Sequence, residues 1–244
     1  MRVQSWHAAL AAVGGLVGIV GTSAVGAERS LVMEYAPLTM HAGGGGVFGL
    51  VAADFDLDGI ADLAAADGAG VRVFHDPGAG GTTMRTISVG GGATALAAGD
   101  VDADGDQDLV VGLDAAVVVL ANGLQGLSPV ATYAMPSGDL GITAVRLADV
   151  DADGDLDVLA GLHSHTTATA WSGGLWVALG DGTGAFAALP THDLAVPAAD
   201  IVVADLDGDG ALDVAELGGF GASSSTRALA LGRGVGTVSE RARL

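Results

Sequence analysis

Apolar residues in this chain come in short runs bounded by Gly, Asp or Pro, and the runs recur in four series. A first series covers 48–53, 94–98, 142–148 and 201–204. A second covers 63–66, 109–113, 158–162 and 214–217. A third covers 71–75, 116–121, 174–180 and 227–231, and a fourth 83–89, 129–135, 185–189 and 236–241. Runs this short, closed by turn formers, predict strands. Ala is frequent and taken alone favours helix, but the runs are too short and the Gly too dense for helices.

Between the first and second strand of each unit stands the same nine-residue pattern, D-x-D-x-D-G-x-x-D. It begins at Asp54, Asp100, Asp149 and Asp205, so the spacings are 46, 49 and 56 residues. A period of this size marks a repeat architecture, and four strands per repeat is the plan of a β-propeller blade. The expected fold is therefore all-β: a propeller of four-stranded blades with four repeats, a small or incomplete ring. The repeats run over about 47–92, 93–140, 141–197 and 198–244. Each blade would cover its neighbour's face, so the core should be distributed between blades. Residues 28–46 precede the repeats. They hold one candidate strand, 31–39, that would cap an edge or join an unfinished blade, and a flexible Gly joint at 43–46.

Carboxylates at positions 1, 3, 5 and 9 of one tight loop repel one another unless a cation sits among them. Asp is a short, hard oxygen donor, and Ca²⁺ accepts six to eight oxygens in a flexible shell. The Gly at position 6 permits a sharp backbone turn, which would aim the carbonyl of position 7 at the ion. A metal-free Asp/Gly turn explains one such loop more easily than four with identical spacing.

Composition sharpens this picture. The chain has 244 residues and no Cys, which removes disulfide and thiol chemistry. Its net charge of −20 argues against nucleic acid. Sixteen of the 25 Asp residues are the motif carboxylates, so the acid is concentrated where a cation would neutralise it. Residues 1–27 read as a secretory signal: Arg2, an apolar run over 8–20, and Val25-Gly26-Ala27 before a cleavage point at Glu28. The run is short and Gly-rich for a membrane span. The expected location is extracellular or periplasmic, where weak Ca²⁺ sites are filled.

The run Phe48-Gly49-Leu50-Val51-Ala52-Ala53-Asp54, followed by the Asp loop, resembles the FG-GAP repeat. The segment Val177-Ala178-Leu179-Gly180-Asp181-Gly182-Thr183-Gly184-Ala185-Phe186 is similar to the related VCBS-type repeat, with its Gly-Asp-Gly-Thr turn late in the blade. The resemblance covers about 47–241. It implies a propeller, as in integrin heads, with structural Ca²⁺ between the first and second strand of each blade. Loop chemistry and resemblance together assign about four sites. The first is Asp54, Asp56, Asp58 and Asp62 with the Ile60 carbonyl. The second is Asp100, Asp102, Asp104 and Asp108 with the Asp106 carbonyl. The third is Asp149, Asp151, Asp153 and Asp157 with the Asp155 carbonyl. The fourth is Asp205, Asp207, Asp209 and Asp213 with the Ala211 carbonyl. The side chains of Asp106 and Asp155 are expected to face solvent. The family usually builds about seven blades, and only the first repeat keeps a clear Phe-Gly start.

An EF-hand would need Glu at position 12 and flanking helices. Position 12 is Ala65, Val111, Ala160 and Glu216, and no helix flanks the loops. His163-Ser164-His165 would put two imidazoles on one face of a strand, although a solvated loop is the simpler reading of that Ser/Thr-rich insertion. His41, His75 and His192 read as isolated, and Ser223-Ser224-Ser225 as a loop. No nucleophile motif is present, so no enzyme is expected. The expected function is a secreted, non-catalytic binding or adhesion module for a protein or glycan ligand, with self-association as a route to a complete ring. The alternatives are a carbohydrate-binding module, with Trp171 and Trp176 stacking on a sugar, or an accessory domain of an extracellular enzyme.

Overall fold

The computed structural model describes residues 8–12, 16–22, 31–34, 46–75, 83–135, 140–165, 171–194, 197–218, 230–232 and 238–240. All regular structure among them is strand, paired antiparallel. The N-terminal strands β1 (Ala8–Ala12), β2 (Leu16–Thr22) and β3 (Leu31–Glu34) form a three-stranded sheet in the order β1-β2-β3. The candidate strand at 31–39 thus appears over 31–34 and pairs with β2 rather than with a repeat. Residues 43–45 of the Gly joint lie outside the described residues.

Two repeats form complete four-stranded sheets. The first joins β4 (Val47–Ala53), β5 (Asp62–Asp67), β6 (Gly70–His75) and β7 (Thr83–Ile87) in sequence order. The second joins β8 (Ala93–Gly99), β9 (Asp108–Leu113), β10 (Ala116–Ala121) and β11 (Ser128–Ala134). The third has β12 (Leu140–Ala148), β13 (Asp157–His165) and β14 (Trp171–Gly180), with β15 (Phe186–Ala188) and β16 (His192–Leu194) both along the free edge of β14. The strand β16 is not evident in the hydrophobic pattern. In the fourth repeat the described residues give two strand pairs. Its β17 (Ala198–Ala204) and β18 (Asp213–Gly218) form one pair, and β19 (Ala230–Gly232) and β20 (Val238–Glu240) another, with β18 and β19 adjoining.

The expected solvated loop around His163 is corrected. β13 and β14 pair through His163↔Gly173, Ser164↔Ser172 and His165↔Trp171, so the insertion lengthens a hairpin. Only its tip lies outside the described residues. A second regularity escaped the sequence pattern. Every first strand shifts register once, between Val47 and Gly49, Ala93 and Ala95, Ile142 and Ala144, and Ala198 and Asp200. Such a bulge bends and twists a strand. In two repeats the extra residue is Thr, and the Thr94 and Thr143 hydroxyls reach the Gly112 and Gly161 carbonyls at 3.0 and 3.1 Å.

The core lies between sheets, because side chains alternate across each strand. Ala64, Val71 and Val73 of the first repeat meet Leu109, Val111, Val118 and Leu120 of the second. The intervening residues Val110, Val117 and Val119 point the other way, toward Val158, Ala160, Leu162 and Trp176. Leu159, Leu175 and Val177 then meet Ile201 and Val214. Strands buried on both faces read as continuous apolar runs. The first strands adjoin in series, β4 with β8, β8 with β12 and β12 with β17. Among the described residues no comparable contact of β17 with β4 closes this row into a ring.

Candidate metal centres

Each Asp loop folds through one hydrogen-bond scheme, built four times. Position 9 is buried, and its Oδ2 accepts the N–H of position 2. The distances are 3.0 Å from Phe55 to Asp62, 2.9 Å from Val101 to Asp108, 2.7 Å from Val150 to Asp157 and 2.9 Å from Leu206 to Asp213. Position 1 accepts the N–H of the position-6 glycine: Gly59, Gly105, Gly154 and Gly210 donate to Asp54, Asp100, Asp149 and Asp205 at 2.8–3.0 Å. Position 5 accepts from position 7, so Ile60, Asp106, Asp155 and Ala211 donate to Asp58, Asp104, Asp153 and Asp209 at 2.7–3.1 Å. Side-chain oxygens thus bend the backbone around themselves, as Asp does in tight turns.

This curvature needs two left-handed residues per loop. The position-6 glycines have φ of 87°, 97°, 102° and 89°. Position 4 is also left-handed: Leu57, Ala103 and Ala152 at 60°, 58° and 62°, and Gly208 at 79°. A non-glycine residue there carries strain, which only the fourth loop relieves.

The scheme gathers carboxylates. Asp100, Asp102 and Asp108 offer oxygens within 4.8 Å of one another, as do Asp149, Asp151 and Asp157, and Asp205, Asp207 and Asp213. In the first loop the grouping splits into Asp54, Asp56 and Asp58, and into Asp56, Asp62 and His75. These clusters can hold metal ions. The second and third loops show the need for one most clearly. Asp100 Oδ1, Asp106 Oδ1 and Asp151 Oδ1 are buried without a hydrogen-bond partner. Burial, then the neighbouring carboxylates, raise the proton affinity of Asp102 and Asp151. Asp108 and Asp157 are raised mainly by burial, against the backbone N–H groups that lower them. Asp106 is pushed to about 6, first by burial and then by Asp104. An all-oxygen donor set with buried, unsatisfied charge suits a hard cation.

Several sequence expectations need correction here. Asp106 and Asp155 do not simply face solvent: each is half-buried, and Asp155 Oδ1 lies 2.5 Å from where a Cβ on Gly182 would stand. His75 is not isolated; its Nδ1 is 2.9 Å from Asp62 Oδ2 and 3.6 Å from Asp56 Oδ2. Trp176 is 2% exposed and packs against Tyr133, so it is core and cannot stack on a sugar. The side chains of Trp171 and His165 lie outside the described residues, as do His41 and Ser223 to Ser225. The position-5 carboxylates of the last three loops sit outside the tight groups, holding the turn instead.

Neighbouring repeats cover each other's loops. Asn122 Nδ2 donates to the Phe55 carbonyl at 2.8 Å, and Gly184 N to the Val101 carbonyl at 3.0 Å. In both cases a turn of the next repeat caps position 2 of the loop before it. The Asp181 to Gly184 turn therefore lies between the second and third loops, near Asp102 and Asp155. Gly182 adopts φ 68°, and a side chain there would strike the Asp155 carboxylate.

Two stretches, 54–111 and 100–160, match the family model of the FG-GAP-like repeat. They cover the first three loops and the strands between them. No curated protein matches the chain.

Proposed function

We propose, for a chain that carries FG-GAP-like repeats, a secreted, calcium-stabilised module of propeller type that binds a partner and performs no chemistry on it. FG-GAP repeats are found in extracellular binding and adhesion modules. Among the described residues no helix is long and apolar enough to cross a membrane. The observation that carries the reading is the fourfold loop scheme, with three carboxylates gathered in each loop and, in the second and third, buried oxygens left unsatisfied. Ca²⁺ is the cation that best suits such a flexible, all-oxygen set. Its role here is to neutralise the loop carboxylates and so hold adjoining sheets together. The row of sheets would close into a ring through the terminal segments or through a second copy.

Binding to the folded state alone stabilises it by about 1.4 kcal/mol per site at tenfold excess over Kd. Four sites give on the order of 5 kcal/mol, or about 10–20 °C in Tm for a chain of this size. Thermal unfolding with Ca²⁺ and then with chelator, alongside the solution mass, tests this. A fall of that order at monomer mass supports a self-closed module, and the same fall at dimer mass supports closure by association. An unchanged Tm overturns the calcium reading.

A further inference from the structure

The first loop differs from the other three in its donor chemistry. In the second, third and fourth loops the buried position-9 carboxylate groups with positions 1 and 3, all oxygen. In the first loop Asp62 groups instead with Asp56 and His75. His75 is the last residue of β6, one beyond Phe74, which pairs with Leu63 at position 10 of the motif. The same register place holds Ala121 in the second repeat, beyond Leu120, and Leu179 in the third, beyond Ala178. Among the three repeats in which this register place is described, an imidazole has thus taken the place of an apolar side chain in the first alone.

We propose that Asp56, Asp62 and His75 form a mixed nitrogen–oxygen site that selects a borderline transition cation of the Zn²⁺ class in preference to Ca²⁺. Imidazole suits such ions, whereas Ca²⁺ takes oxygen. The spacing agrees. Bonds of about 2.0–2.1 Å in a tetrahedral shell put neighbouring donors about 3.3 Å apart. His75 Nδ1 stands 2.9 and 3.6 Å from the two carboxylate oxygens, either side of that value. Asp62 is anchored by the Phe55 N–H at 3.0 Å, which fixes the donor's direction. Asp56 is 41% exposed, so water can complete the shell. Without the metal, the same contact is an ordinary imidazole–carboxylate hydrogen bond, and that is the competing account.

The inference rests on reading the loops as cation sites, and the test separates the two. Co²⁺, a coloured stand-in for Zn²⁺, is titrated into the full chain with Ca²⁺ in large excess, and bound Ca²⁺ is counted in the same samples. The expected result is a single equivalent of Co²⁺ with visible absorption, displaced by Zn²⁺, with three Ca²⁺ retained. His75→Ala should weaken Co²⁺ binding at least about tenfold, while His163→Ala leaves the absorption unchanged. Four Ca²⁺ bound and no cobalt absorption overturns the inference alone. Absorption that survives His75→Ala also overturns it. Cobalt held through His75 with no Ca²⁺ bound at all supports it and overturns the calcium reading instead.

Discussion

The second and fourth loops carry Asp at the same four motif positions, 1, 3, 5 and 9, yet different surroundings hold them. Asp108 accepts the Val101 N–H and also the Asn122 N–H at 2.7 Å. Asp157 in the third loop is tied the same way, by Val150 and by Gly180 at 2.9 Å. Among the described residues Asp213 receives only the Leu206 N–H. Asp100 and Asp102 are half-buried beneath the Asp181 to Gly184 turn, whereas Asp205 and Asp207 are exposed. Among the described residues a full sheet stands behind the second and third loops, and the β17–β18 pair behind the fourth. Identical carboxylate spacing therefore does not make identical surroundings. Among the described residues, what packs behind a loop and over it sets how many hydrogen bonds hold its carboxylates.

The largest expected effect tests this contrast directly. In saturating Ca²⁺, Asp108→Ala and Asp157→Ala each leave two backbone N–H groups without an acceptor. Each should cost about 3 kcal/mol in urea unfolding, against about 1–2 kcal/mol for Asp213→Ala. Equal losses at all three would break the comparison. Next is the turn over the second loop. Gly182→Ala meets the Asp155 carboxylate and forces a left-handed residue, which should cost about 2 kcal/mol. Gly208→Ala in the open fourth loop, where other copies already hold Ala, should cost about 1 kcal/mol or less.

Glu216 sharpens the difference from another side. It sits on β18 opposite Ile201, buried, and neither carboxylate oxygen has a hydrogen-bond partner among the described residues. Burial raises it from its ordinary 4.5 to about 7. A raised carboxyl binds its proton more tightly folded than unfolded, so stability falls as pH rises from 4.5 toward 7 and stays lower above. Glu216→Gln should therefore stabilise the fourth repeat at pH 8 by on the order of 1–2 kcal/mol and do little at pH 4. Thermal unfolding at both pH values reads this, and a pH-independent effect would refute it. The smallest expected effect is relief of strain at position 4. Ala103→Gly and Ala152→Gly should each gain about 0.5 kcal/mol, left-handed strain outweighing the added chain entropy. Calorimetry on the double variant would detect the sum.

Much of this was legible in the chain. All sixteen runs in the four series overlap a single strand with ends that agree to within three residues, because a short apolar run closed by turn formers needs no tertiary information to be recognised. The described parts of the runs at 227–231 and 236–241 lie in β19 and β20, and the rest of those two runs lies outside the described residues. The loops were legible because their carboxylates are local, all within nine residues. The role of His75 was not, since it stands thirteen residues beyond Asp62 and meets it only through the β5–β6 register. The burial of Trp176 and the seating of the Gly182 turn needed the neighbouring sheets in place.

The all-strand character, the four-beat period and the four carboxylate-rich turns follow from local sequence, because each depends on side-chain alternation and short-range backbone geometry. Which turns are covered, which oxygens lose their solvent and where an imidazole enters a loop came from the packing of the sheets. Those outcomes depend on how one sheet lies against the next. Burial sets the cost of leaving a carboxylate without a partner, and residues far apart in the chain set the burial.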